Sequence, residues 1–396
     1  MVVSAGANAV NYFFFAVLSL FSVKLTGTVN YAGFLSLAFS ATALITRPIS
    51  GMLSDKYGRV RLIIFGTALS ALSCVLYTLT TDLALLLLIR ILNGFGMSMC
   101  TTCAGAAIPD IVPGERLTEG LGIFGLSATA SQALGPTIAL AIIGGGELSS
   151  FNTLFIVSAV LCCMSSISAC FITYESKKRV IKEERPKKID TDRDCLPDAA
   201  EGKSFFGIEL KIISLIVVFT LIFAGNSSVL GYLTRFGQLR EFQTEHIGLY
   251  FFVSAGGMLL SRILLGKTVD RRGADIVVIP SLIVLALCLA AIPVMPSLPL
   301  LVCTSLPQGF AMGALSPTIN ATMFKRSSPK RRGAVAASFY IAIDVGITVG
   351  APVMGLIADH ISFDWVYWFA AIIVVFALIV YMRFGSDKRY TLKSAQ

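Results

Sequence analysis

The stretch Arg47-Pro48-Ile49-Ser50-Gly51-Met52-Leu53-Ser54-Asp55-Lys56-Tyr57-Gly58 closes one apolar run and opens the next. Shifted by 215 residues, the chain reads Arg262-Ile263-Leu264-Leu265-Gly266-Lys267-Thr268-Val269-Asp270-Arg271-Arg272-Gly273, with Arg, Gly, Asp, a base and Gly in register. Pro113-Gly114-Glu115-Arg116 likewise returns as Pro329-Lys330-Arg331-Arg332 at an offset of 216. Two matches at nearly one offset indicate a duplicated unit.

The text around these stretches says what kind of unit it is. Of the 396 residues, 55% are hydrophobic and 14% charged, against about 25% charged in soluble domains. Nineteen of the 55 charged residues fall between Glu175 and Lys211, so the remainder is nearly charge-free. Apolar runs of bilayer-crossing length recur about twelve times, six before that stretch and six after. The expected fold is an all-α membrane protein of twelve transmembrane helices in two six-helix bundles. The expected division is 1–174 for the first bundle, 175–208 for a solvated linker, 209–384 for the second bundle and 385–396 for a tail. Six is even, so both copies insert the same way, as a parallel repeat about an axis along the membrane normal.

Charge placement orients the spans. With both termini in the cytoplasm, inner loops and tail hold 26 of the 32 Lys and Arg residues, the bias expected of the cytoplasmic side. The net charge of +9 therefore reads as topology: the bases punctuate apolar segments and form no groove with stacking aromatics, so no nucleic-acid partner is expected. Cysteine usage gives no disulfide framework. Cys100 and Cys103 form a C-x-x-C inside a span with no second pair and no neighbouring His, so packing is favoured over metal, and neither a metal nor a cofactor is expected. The first base, Lys24, follows the first apolar run, so that run is expected to remain as a helix and not to be cleaved as a signal peptide.

The repeated motif has a local physical sense. Glycines at 51 and 58 allow a helix end to approach a neighbour and then turn sharply. Asp55 at a span end can accept hydrogen bonds from a facing helix N-terminus or pair with Arg59, a contact made in one conformation and broken in another. A topogenic basic loop would explain Lys56 and Arg59, but not the paired glycines and aspartates in both halves. Here the chain resembles the major facilitator superfamily, whose signature loop between the second and third helices is matched by Gly51 to Arg59; Val60 departs from the second base often found there. The resemblance covers the whole chain. It implies a conformational latch made of Gly51, Asp55, Lys56, Gly58 and Arg59 in one half and of Gly266, Asp270, Arg271 and Gly273 in the other.

Further residues are placed by depth and by that resemblance. Arg90, in Arg90-Ile91-Leu92-Asn93-Gly94, lies within the fourth span, where a charge should face a cavity or a partner; it resembles the family's motif B arginine, associated with proton coupling. Gly122 to Pro136 partly resembles motif C, associated with drug:proton antiporters, with Gly135 and Pro136 as its kink and with Ser131, Ala139 and Leu140 where the family has glycine. Asp344 lies about ten residues into the eleventh span and is the carboxylate at greatest depth. Desolvation favours its neutral form and a nearby arginine its charged form, which makes Asp344, with Arg90, the proton-coupling candidate. A static polar tie is the competing reading. By analogy, helices one, four, seven and ten line the cavity. Asn8, Asn11 and Tyr12 share a face of the first helix, Phe15 adds aromatic surface, and Asn226, Gln308 and Asn320 are further polar candidates. Each could equally be interhelical glue. The candidates are mostly neutral and aromatic, which suits an amphipathic or weakly cationic solute better than a multivalent anion; several cavity bases would be expected of a phosphate-ester carrier, and only Arg90 is placed to serve.

A membrane enzyme would need a nucleophile with its base or a ligand cluster, and a nucleotide-driven pump would need a phosphate-cradling loop; the sequence has neither. A channel more often uses a multisubunit pore. The expectation is a secondary active transporter that moves a small-molecule substrate by alternating access, coupled to a proton gradient. It would sit as a monomer in the lipid bilayer of a bacterial cell membrane and work in the efflux direction. A proton-coupled nutrient importer on the same fold is the alternative. The first span starts at residue 2, which leaves room for a longer natural N-terminus.

Overall fold

The computed structural model describes residues 2–26, 30–143, 148–172, 204–205, 208–242 and 244–386. Most of the stretch read as a linker, 175–208, and of the tail, 385–396, lies outside the described residues. In hydrocarbon a backbone amide finds no water, so long apolar runs must satisfy their own hydrogen bonds, and helices do so within one segment. Twelve long helices result. In the first half they are α1 (Val2–Thr26), α2 (Asn30–Tyr57), α3 (Arg59–Leu79), α4 (Leu83–Ile111), α5 (Leu117–Ile143) and α6 (Leu148–Cys170). In the second they are α7 (Ile213–Leu239), α8 (Thr244–Arg272), α9 (Asp275–Ala291), α10 (Leu298–Arg326), α11 (Arg332–His360) and α12 (Phe363–Val380). A two-residue antiparallel ladder, Ser204–Phe205 with Ile208–Glu209, precedes α7.

The helix ends follow local chemistry. The Asp82 carboxylate accepts from the backbone N–H groups of Ala84 and Leu85 at 2.8 and 3.2 Å and starts α4. Ser362 takes the same role for α12 through Trp365 N–H. Between α2 and α3 a single residue, Gly58, makes the turn at φ 96° and ψ 157°, a conformation open essentially to glycine alone. Its repeat counterpart Gly273, at φ 89°, makes the turn between α8 and α9 together with Ala274.

Faces are set by which neighbour a residue meets. In α12, Val366, Tyr367, Ala370, Ala371, Val374 and Ala377 are buried, while Trp365, Ile372, Val375, Phe376 and Ile379 stay exposed. Both faces are apolar, as expected of a helix with protein on one side and lipid on the other.

The packing repeats as the sequence does. In the first half α1 packs on α5 and α6, α2 on α4, and α3 on α4 and α6. In the second α7 packs on α11 and α12, α8 on α10, and α9 on α10 and α12, so adding six to each number converts one set into the other. The correspondence holds at atomic detail. A Cβ added at Gly94 would lie 2.8 Å from the Phe39 carbonyl oxygen, and one at Gly309, 215 residues on, would collide with the carbonyl of Ser254, the counterpart of Phe39. Close approach of α4 to α2, and of α10 to α8, therefore requires glycine at both places. Two ring-rich cores follow, one around Phe14, Tyr77 and Phe155 and one around Phe219 and Phe339.

Among the described residues, the bundles are joined chiefly by α2 with α11, α5 with α8, α4 with α11 and α5 with α10. The repeat exchanges the first with the second and the third with the fourth. The polar contacts between bundles involve the C-terminal parts of α2, α4 and α8 and the N-terminal parts of α5 and α11. The bundles are thus held together from the end that carries the repeated motif up to about mid-depth.

Candidate functional site

Each seam begins with an aspartate capping a helix of the other bundle. Asp55, at the end of α2, accepts from the backbone N–H groups of Gly333 at 2.8 Å and Ala334 at 3.2 Å, the first turn of α11. Asp270, at the end of α8, accepts from Thr118 at 3.2 Å and Glu119 at 3.1 Å, the first turn of α5. Donors and acceptors alike are related by the 215-residue offset. A carboxylate at a helix N-terminus meets unpaired N–H groups and the positive end of the helix dipole. Close packing permits this: a Cβ at Gly51 would lie 2.7 Å from the Gly333 carbonyl, and one at Gly266 would lie 2.9 Å from Glu119 Cα.

Charged side chains extend the two caps differently. Arg59 bridges Asp55 at 3.3 Å and Asp110 at 3.1 Å, and Asp110 also binds Arg332 of α11 at 2.5 Å. At the other cap Lys325 Nζ lies 3.0 Å from Asp270 Oδ1. Both expected roles of Asp55 therefore occur together, the helix cap and the Arg59 pair. Asp110 was not singled out by sequence reading; an acidic residue at the end of α4 facing two arginines was its available signal. Lys56 is exposed over the Tyr57 ring at 5.2 Å, and Arg271 is exposed.

Deeper in the α2–α11 seam lies an ion pair. Arg47 Nε donates to Asp344 Oδ2 at 2.5 Å and Arg47 Nη2 to Oδ1 at 3.1 Å. Thr101 of α4 accepts from Nη1 at 3.4 Å, and the Tyr340 ring lies 4.7 Å from Cζ. Arg47 is ten residues from the end of α2, which at about 1.5 Å per residue puts it roughly 15 Å from that end, near mid-bilayer. Side-chain exposure is only 10% for Arg47 and 19% for Asp344. A pair this dry is strongly unfavourable to break by halves, because the remaining charge is left uncompensated.

Arg90 takes no part in it. Its guanidinium lies inside the first bundle, 4.5 Å from the Phe39 ring centre and 5.1 Å from that of Phe14, and donates to Asn93 Oδ1 at 3.2 Å. Asp344 and Arg90 are thus not brought together. The expectation that Arg90 is the one base placed at the cavity is corrected here, since Arg47 and Arg262 stand at the bundle interface; the recurrence of Arg at 47 and 262 was the signal.

The cavity candidates divide. Gln308 donates to Asn226 Oδ1 at 2.9 Å and accepts from Tyr250 at 3.2 Å, so α7, α8 and α10 are tied through one buried amide cluster. The repeat counterparts of Asn226 and Gln308 are Asn11 and Asn93. Asn93 is one methylene shorter than Gln308, and here Asn11 Oδ1 and Asn93 Nδ2 are both buried without a partner. Asn8 bonds within its own helix to Ser4. Asn320 Oδ1 is buried and unpartnered. Tyr12 packs against Gly135, and Gly350, the counterpart of Gly135, packs against Ser227, the counterpart of Tyr12. The side chains of Phe15, Pro136 and Lys267 lie outside the described residues.

Two like-facing six-helix bundles joined by a repeated pair of aspartate caps define a class. The profile of the Major Facilitator Superfamily matches residues 1–296 and 244–395, and the chain belongs to that family. It is 20% identical to the staphylopine export protein of Staphylococcus aureus, covering 90% of this chain and 87% of that protein. It is 23% identical to multidrug resistance protein 2 of Bacillus subtilis, covering 90% and 86%. The crystal structure of the human organic anion transporter MFSD10 superposes with a TM-score of 0.76 at 16% identity, covering 96% of this chain and 97% of that one.

Proposed function

We propose that this protein is a proton-coupled exporter that moves a small organic solute by alternating access, as a monomer in a bacterial cell membrane with both termini in the cytoplasm. The observation that carries the reading is the Arg47–Asp344 pair, which joins the two bundles at mid-depth above a pair of symmetric caps. Bases concentrate at the capped end, so that end is assigned to the cytoplasm, and the capped arrangement is read as closed inward. Opening the other way must part α2 from α11. That movement separates the Asp344 carboxylate from its guanidinium at a depth where a lone charge is costly, and uptake of a proton removes the charge. Proton occupancy is thereby tied to which side the central space faces. The efflux direction draws on the names of the relatives, an export protein and a multidrug resistance protein.

The test is transport in proteoliposomes under an imposed pH gradient, using solutes chosen by a growth and accumulation screen of expressing cells. Solute moving against its gradient while protons run down theirs is the expected result. Co-directional movement of both would identify an importer, and solute flux indifferent to pH, with no counterflow of labelled against unlabelled solute, would discard the carrier reading.

A further inference from the structure

We infer that Arg262 binds the carboxylate of an organic monoanion, in the place that Asp344 occupies on Arg47; that the anion is carried across rests on the transport reading above. The two arginines are repeat counterparts, each ten residues from the end of its helix. In the first seam Asp344, Thr101 and the Tyr340 ring surround the Arg47 guanidinium. In the second seam the offset of 215 turns Asp344 into Thr129 and Tyr340 into Gly125. The acceptor and the stacking ring are both gone, while the cation is kept.

The geometry follows the substitutions. The Arg262 guanidinium lies against the α5 backbone, so that a Cβ at Gly125 would be 2.7 Å from Nη1 and 2.9 Å from Cζ. Thr129 directs its hydroxyl to the Gly125 carbonyl at 3.3 Å and offers nothing to the arginine. Nε and Nη1 of Arg262 are both buried with no hydrogen-bond partner. Tyr12 of α1 is the ionisable side chain that acts electrostatically on it. Asn320 of α10 is the counterpart of Gly105, which faces Tyr340 in the first seam, and its buried Oδ1 also lacks a partner.

A buried guanidinium with two idle donors is matched by a planar acceptor, and a carboxylate accepts from its fork through both oxygens. One unneutralised arginine answers one negative charge, because Arg47 is already held by Asp344 and Arg90 is turned into the first bundle. The residue as a whole keeps partial exposure while Nε and Nη1 are buried, so a solute reaches them as the α5–α8 seam loosens. Arg262 comes from the second bundle and Gly125 and Tyr12 from the first, so an anion seated there would bridge the seam as Asp344 bridges the other.

The experiment uses the purified full chain in detergent, with benzoate and octanoate as probes and benzamide and octanamide as neutral matches. The carboxylates should raise Tm and the amides should not. Arg262→Gln should weaken carboxylate binding at least tenfold by calorimetry, and Arg262→Lys should recover part of it. Thr129→Asp supplies the missing acceptor from the protein; it should raise Tm without ligand, abolish the benzoate response, and lose its stabilising effect when combined with Arg262→Gln. Equal responses to carboxylate and amide, carboxylate binding untouched by Arg262→Gln, or a Thr129→Asp effect independent of Arg262 would each overturn the assignment. Counterflow of labelled benzoate separates the two readings. If it is equal in wild type and Arg262→Gln, the anion site falls and transport stands. If benzoate binds through Arg262 but never exchanges across the membrane, the site stands and the transport reading falls.

Discussion

Asp344 and Arg47 are 297 residues apart in sequence, yet both carboxylate oxygens bond the guanidinium, at 2.5 and 3.1 Å. The pair spans the two halves of a duplicated chain and has no charged equivalent in the opposite seam, where the same positions hold Thr129 and Arg262. A fold built by repetition has become asymmetric at its centre.

Asp344→Asn removes the charge and leaves Arg47 uncompensated. Truncating one partner of a fully buried pair costs about 3–5 kcal/mol; with the partial exposure of this pair, a loss of roughly 2 kcal/mol is expected, read as a lower Tm. Transport driven by a pH gradient should vanish in proteoliposomes while solute exchange persists. Unchanged driven flux would remove Asp344 from the mechanism.

Asp55→Asn keeps an acceptor for one N–H group but loses the charge that faces the α11 N-terminus. The expected weakening is about 1 kcal/mol, a shift of about fivefold towards the open seam. Transport should fall with membrane insertion intact, and Asp270→Asn should do the same. The two sites lie on opposite seams, so the double variant should be close to additive in Tm; wild-type transport rates in both single variants would refute the latch.

Gly333→Val places a side chain where Ser54 and the Gly51 carbonyl already sit. The α2–α11 seam should then fail to close, and Ala337, which packs on Gly51, should become accessible. The check is thiol labelling of Ala337→Cys after replacement of Cys195 in the charged central stretch and of Cys163, Cys170 and Cys303, which are exposed among the described residues. Labelling should be slow in the parent and at least several-fold faster with Gly333→Val; equal rates would mean that closure does not depend on this crossing.

Cysteines introduced at positions 56 and 267 should react with a membrane-impermeant reagent from the cytoplasmic side only, and both alike. Labelling of the two from opposite faces would contradict a parallel repeat.

The elements that sequence reading recovers are those written in composition or in local letters. Twelve apolar runs give the twelve long helices of the described residues, and Gly58 with Gly273 gives the two repeat-related positive-φ turns, because in each case the cause lies within a few residues. The partners that Asp55 and Asp270 cap across the seams were not legible as residues: they are backbone N–H groups, which every non-proline residue carries. Arg47 and Asp344 were both in view, but which arginine meets the carboxylate is fixed by the crossing of α2 on α11, which no local run of letters states. The cluster of Asn226 and Gln308 was legible as two polar letters at depth; that they bond each other, while Asn11 and Asn93 do not, turns on a single methylene.

The unequal seams also say how the molecule comes apart. Among the described residues, one edge is bolted halfway up by Arg47 and Asp344 and the other, beside Arg262, has its polar ties at its foot, on Asp270, so parting is expected to begin along α5 and α8 and to finish when the bolt between α2 and α11 gives way. The mouth that forms is a wedge, and its wide side is the one with the idle cation.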